Sequence, residues 1–300
     1  MKLGQINLSG IDEFWALPME DRVAAFNTLR NEDPVRFFEE AVPPYLPPGP
    51  GYWAITRHAD VIEASKNPQL FCSGSGVNIP DVPPEFNEFF GSMINMDDPR
   101  HARFRKIVSA GFTPRMMASL MDGVERTATE VVDRIAGLGE CDFVTEVASR
   151  LPLVIICDMM GIDPDRYDEV FHLSNIVLSN GDPEYIDPED NPLEAFLKAG
   201  AGLAEIMNET AEARRGGDGT DLTSMLVNAE VDGERLTNEE LASFFVLLCV
   251  AGNETTRTAI SWGLEYLTQN PEQRAIWLND IEGVTPSAVE EIVRMESPVI

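Results

Sequence analysis

The sequence predicts a mainly α-helical protein with a small β-element near its N-terminus. Three observations carry this. From Asp97 onward apolar residues recur at helical spacing in one segment after another. The β-favouring signal is confined to two short runs, PVRFFEE and YWAITR, joined by the turn cluster YLPPGPG. Finally, LPLVIICDMMGI and FFVLLCVAG are apolar on all faces, as helices at the centre of a protein are.

The elements follow in order. Residues 12–32 place Phe14, Leu17, Val23, Phe26 and Leu29 at helical spacing, and the two β-favouring runs after them form a hairpin. HADVIEASKNP is a short helix stopped by Pro68. Residues 72–96 read as irregular, interrupted by Gly74, Gly76, Pro80, Pro83 and Pro84, yet they carry Val77, Ile79, Phe86, Phe89, Phe90, Met93 and Ile94. A long loop of that content either folds back on the core or forms the wall of an apolar ligand pocket. Asp97 or Asp98 caps the next helix, with Pro99 in its first turn. Helices over 115–137, LPLVIICDMMGI, 164–180 and 192–215 come next, the last two separated by the acidic, proline-rich GDPEYIDPEDNP. RRGGDGTD ends that series, DLTSMLVNAE is a short helix, and VDGERL is a tight hairpin or loop. Thr237 and Glu240 make a capping box for a long helix running to about Asn270. Pro271 opens a short helix and 286–297 is the last. No repeat or linker interrupts the series, so residues 1–300 are expected to be a single domain.

Composition narrows the function. With 22 Lys+Arg against 51 Asp+Glu, the 300 residues carry a formal charge of −29. A duplex-binding protein needs basic charge to neutralise phosphates, so nucleic acid is excluded as a partner, and an anionic membrane surface is disfavoured. The hydrophobic share of 44% is ample for a core. The most apolar run, Phe244–Gly252, falls far short of the ~20 residues that span a bilayer, and the N-terminus has no signal-peptide core. Cys72, Cys141, Cys157 and Cys249 form no Cys-x-x-Cys pair and read as reduced thiols, which places the protein in the cytoplasm. His58, His101 and His172 are equally scattered, so no zinc spacing appears. Phosphate-loop, dinucleotide, zincin and nucleophile-elbow motifs are absent.

Three features could carry chemistry. The long helix is apolar through its first half, and then Gly252-Asn253-Glu254-Thr255-Thr256-Arg257 puts a poor helix former and five polar residues into the interior. Phe244, Leu248, Ala251 and Thr255 share one face by i, i+4 spacing, apolar at one end and polar at the other. That face meets a ligand, or the helix simply turns amphipathic as it leaves the core. Second, no acidic residue lies between Asp98 and Asp122, while Arg100, His101, Arg103, Arg105, Lys106 and Arg115 do. His101 and Arg105 are i, i+4 and could grip one anion, or the segment is a solvated basic face. Third, Glu291 and Arg294 are i, i+3, a spacing that ordinary surface ion pairs share and that Glu212–Arg215 and Glu254–Arg257 repeat.

Taken in order and spacing, DDPRHARFRKIVSAGFTP, AGNETTR and EEIVR resemble a bacterial cytochrome P450, a haem-thiolate monooxygenase, over essentially the whole chain. More narrowly, FGSMINMDDPRHARFRKIVSAGFTP, LPLVIICDMMGI, EVDGERL and SFFVLLCVAGNETTR resemble the actinobacterial group that ω-hydroxylates methyl-branched lipids and sterol side chains. The resemblance implies the P450 fold, with helices A to K and a small N-terminal β-sheet. It also implies haem b, O2, electrons from a ferredoxin, and a hydrophobic lipid or sterol substrate. It assigns His101 and Arg105 to the haem propionates, Ala251 and Gly252 to the widened part of the central helix, and Glu254 and Thr255 to the acid–alcohol pair that delivers protons. Glu291 and Arg294 match the structural E-x-x-R pair. Val77, Ile79, Phe90, Met93, Ile94, Ile176, Phe244, Leu248 and Val299 would line the substrate pocket. One departure is large: no F-x-x-G-x-x-x-C-x-G segment is present, so the iron finds no ligand among these residues. The axial cysteine is expected beyond Ile300, with this chain the N-terminal part of a longer enzyme. Taken as complete, the chain reads instead as a non-catalytic helical protein that binds an apolar ligand.

Overall fold

The computed structural model describes residues 1–40, 49–79, 81, 83–179, 182–230 and 233–296. They form two units, Met1–Arg103 and Phe104–Ile300.

In the first unit the helix expected over 12–32 is two pieces. A π-turn, Ile11–Trp15, gives way before Pro18, and α1 runs Met19–Glu32. Proline lacks an N–H and fixes φ, so a helix starts beside it more easily than it passes through. Ala25 and Leu29 of α1 pack with Ile6, Leu8, Phe14 and Phe38 in one buried cluster. β1 (Val35–Phe38) and β2 (Tyr52–Ile55) pair antiparallel as the sequence predicts, Val35 opposite Ile55 and Phe38 opposite Tyr52. The turn at 41–48 lies outside the described residues. The strand period of two sends Phe38 into that cluster and leaves Phe37 against Trp53 on the exposed face, ring centroids 5.4 Å apart. α2 covers His58–Lys66. The 72–96 stretch is not irregular throughout: α3 spans Pro84–Gly91 and a 3-10 turn follows at Ser92–Asn95. Pro84 occupies the first turn, where a missing N–H has no partner to lose, and Phe86, Phe89 and Phe90 then recur at helical spacing.

α4, Arg100–Gly111, begins at the end of the first unit and continues into the second. α5 (Pro114–Ile135) is capped by Thr113, whose Oγ1 accepts from the Met116 N–H at 3.1 Å. α6 (Arg150–Met160) buries Leu153, Ile156, Cys157 and Met160 and stops at Gly161, in the left-handed conformation at φ 69°. A Cβ on Gly161 would also lie 2.6 Å from Asp221 Cγ, so only glycine ends this helix here. α7 is Tyr167–Leu178, α8 is Pro192–Arg214 behind an Asn191 cap, and α9 is Leu222–Asn228 behind an Asp221 cap. The VDGERL turn falls partly outside the described residues.

α10 (Asn238–Gln269) is the centre of the second unit, packed against α6, α7 and α8. Its capping box forms as predicted: Thr237 Oγ1 accepts from the Glu240 N–H at 3.1 Å, and Glu240 Oε2 accepts from the Thr237 N–H at 2.9 Å. α11 (Pro271–Asn279) and α12 (Ile281–Met295) pack at its far end. α12 starts at Ile281 rather than at 286, because Asp280 caps it by accepting from the Gly283 N–H at 3.0 Å. Pro286 is accommodated inside.

Candidate active site

Everything from Leu241 to Leu247 on α10, and Cys249, is buried. Leu248 is half-buried, Ala251 is exposed, and Thr255 is half-buried. The predicted face therefore exists: it runs from buried Phe244 to an accessible polar end at Thr255. Gly252 does not break the helix, which stays α-helical from end to end. Gly252 instead faces α6, where a Cβ on it would lie 3.0 Å from Ile156 Cδ1. Asn253 is wholly buried, and neither polar atom of its side chain has a partner among the described residues.

The acid and the alcohol are both engaged. Thr255 Oγ1 donates to the Ala251 carbonyl at 2.7 Å, the back-bond that serine and threonine make in helices. Glu254 accepts from Arg257 Nη2, and Arg257 Nη1 donates to Asn175 Oδ1 of α7 at 3.2 Å. The Arg257 side chain is only 16% exposed, so this is no solvated surface pair. Burial pushes the phenol of Tyr185 up, and Arg257 and Glu254 both lie near enough to act on it. Arg257 and Asn175 are the residues sequence reasoning missed. The i, i+3 spacing of Glu254 and Arg257 was visible but indistinguishable from other such pairs, and Asn175 has no local signal.

The remaining predicted residues are placed as follows. His101 and Arg105 lie on α4, one turn apart; the His101 Nδ1 is 3.7 Å from Asp98 Oδ1, and Arg105 is exposed. In the first unit Val77, Ile79 and Ile94 are exposed and Phe90 and Met93 half-buried, so Val77, Ile79 and Ile94 are not folded onto the core. In the second, Ile176 is half-buried beside Asn175. Val299 lies outside the described residues. Glu291 and Arg294 form a two-pronged pair at 2.6 and 2.7 Å on the exposed surface of α12. The hydrogen bond from Arg294 holds the Glu291 carboxyl below its ordinary value.

This arrangement coincides with a family. The Cytochrome P450 family model matches residues 87–294, which include α4, α10 and the Glu291–Arg294 pair. The chain belongs to the cytochrome P450 family. It is 45% identical to the methyl-branched lipid omega-hydroxylase of Mycobacterium tuberculosis, over 99% of this chain and 69% of that one. It is 36% identical to a steroid C26-monooxygenase of Mycolicibacterium smegmatis, over 83% of this chain and 57% of that one. A Mycobacterium marinum cytochrome P450 solved in complex with pseudoionone matches with a TM-score of 0.83 and 41% identity, covering 94% of this chain and 68% of that one. As a cytochrome P450 the protein is a haem monooxygenase.

Haem fits one side of this structure. Ala251 is exposed on α10 between buried Cys249 and buried Asn253, which leaves room there for a flat apolar group. The cysteines do not supply the other side. Burial pushes the Cys157 thiol up to about 12 and the Cys249 thiol well above its ordinary value, so both stay protonated. Cys72 and Cys141 are exposed and stand outside the P450 cysteine motif. Labelling with an aromatic disulfide reagent is expected to titrate only Cys72 and Cys141 in the native protein, and all four thiols in denaturant. Rapid native labelling of Cys157 or Cys249 would contradict their burial.

Proposed function

We propose that this cytochrome P450 hydroxylates the terminal carbon of a methyl-branched lipid or a sterol side chain, using O2 and electrons from a ferredoxin. The observation that carries the reading is the face of α10, apolar at Phe244 and Leu248 and ending on Thr255 and Glu254, in a chain 45% identical to a methyl-branched lipid omega-hydroxylase. An apolar chain lies along the first part of such a face with its end carbon at the polar turn. In this reading residues 1–300 are one domain of the P450 fold, the haem is haem b, and the protein works in the cytoplasm. Among the described residues no helix is long and apolar enough to cross a membrane.

Haem, when bound, supplies the activation of O2. His101 and Arg105 hold its propionates by charge-assisted hydrogen bonds. Ala251, with a single methyl group, keeps the face open. Thr255 offers a hydroxyl that both donates and accepts, and Glu254 passes protons to it from solvent. Ile176, Phe244 and Leu248 of the second unit exclude water around the apolar chain. Glu291 and Arg294 act structurally. Arg100, Arg103 and Lys106 on α4 give an acidic ferredoxin a positive face despite the net charge of −29.

The test is a spectral titration of the haem-loaded enzyme with phytanic acid, cholesterol and a short unbranched fatty acid. The first two are expected to shift the Soret band and the third is not. If neither the branched lipid nor the sterol shifts it, the substrate assignment is wrong.

A further inference from the structure

Arg257 is held at both ends of its guanidinium. One nitrogen is bonded to Glu254, one turn back on α10, and another to Asn175 of α7 at 3.2 Å. Asn175 is 3% exposed, Arg257 16%, and Glu254 33% at its side chain. Exposure thus rises along the chain of contacts, from a buried amide on α7 to a carboxylate that solvent reaches. A free arginine side chain samples many rotamers, and a surface i, i+3 pair must order both partners each time it forms. Here Asn175 has already ordered the arginine. The planar fork then presents its second nitrogen to Glu254 in one direction only. Because Asn175 and Glu254 sit on different helices, the fork serves both only while α7 and α10 keep their spacing at this level. Asn175 also precedes Ile176, assigned to the substrate pocket, so the element that lines the pocket anchors the arginine.

We propose that Arg257 and Asn175 are positioning residues: Asn175 anchors the guanidinium, and the guanidinium fixes where the Glu254 carboxylate stands. Neither touches substrate or haem. The inference rests on Glu254 acting as the proton relay. A carboxylate displaced by about an ångström from a reacting group loses orders of magnitude in rate. Loss of either residue therefore diverts electrons from product to peroxide and leaves substrate affinity alone.

The experiment compares Asn175→Leu, Arg257→Gln, the double variant, Arg257→Lys and Glu254→Gln in the haem-loaded enzyme. Peroxide released per electron pair, the Soret-monitored dissociation constant for phytanic acid or cholesterol, and the arginine side-chain 15N NMR signals are read for each. Asn175→Leu and Arg257→Gln are expected each to raise peroxide release about tenfold. The double variant should be no worse than Arg257→Gln, and Arg257→Lys should recover part of the loss. Dissociation constants should stay within about twofold, and the slowly rotating Arg257 signal should disappear in Asn175→Leu. Additive effects in the double variant, or normal coupling in Asn175→Leu, would overturn the proposal. If Asn175→Leu does not fold, Asn175→Ser is read by the same criteria. Should Glu254→Gln itself couple normally, the relay reading fails; should only Glu254→Gln leak, the positioning inference alone fails.

Discussion

Thr255→Ala is expected to lower hydroxylated product per electron pair by about 10²-fold, with hydrogen peroxide rising in step. The alanine keeps the backbone and removes the Thr255 hydroxyl at the accessible end of the α10 face. In this structure that hydroxyl donates to the Ala251 carbonyl at 2.7 Å and keeps its lone pairs available to accept, as the proposed relay requires. Folding should hardly change. The back-bond contributes little to a helix whose carbonyls are already paired, and alanine is the better helix former by roughly half a kcal/mol. The effect is therefore separable: the thermal midpoint stays, substrate still shifts the Soret band, and only the fate of the electrons changes. Thr255→Ser retains the hydroxyl and should stay close to wild type. Normal coupling in Thr255→Ala, measured as peroxide per electron pair, would remove Thr255 from the mechanism.

Phe104→Ala is expected to destabilise the fold by about 3–5 kcal/mol, the range for deleting a fully buried phenylalanine. Phe104 has no exposed surface, and its ring meets Phe244 edge-on with centroids 6.2 Å apart. It ties α4 to the first half of α10, where flanking side chains are also fully buried and cannot collapse into the gap. Such a loss is a large share of the 5–15 kcal/mol that holds an ordinary domain together. Urea unfolding checks it: the midpoint should fall while the slope stays constant. A loss below about 1 kcal/mol would mean that the site relaxes freely and that α4 is not clamped there.

Local signals were legible wherever neighbours in sequence are neighbours in space. The Thr237–Glu240 box and the apolar start of α10 depend on residues close together in one helix, and the hairpin on two short runs joined by one turn cluster. Prolines misled in two places. Pro84 marked a loop but opens α3, and Pro286 marked a helix start but lies inside α12. A proline is harmless in a first turn, and an upstream cap such as Asp280 outweighs one inside. The Glu254–Arg257 pair was legible as spacing and illegible as a site. What distinguishes it from Glu291–Arg294 is burial and Asn175, which lies 82 residues away in sequence.

The sequence by itself determined the helical class, the caps, the buried central helix and the residue types that identify a cytochrome P450, because period and motif are written within short segments. Only the tertiary structure decided that Gly252 faces Ile156, that Asn253 is buried with no partner among the described residues, and that Asn175 holds the arginine behind Glu254. Those facts depend on which helices meet α10 and at what height. That is a matter of packing between segments far apart in the chain, to which no local propensity answers.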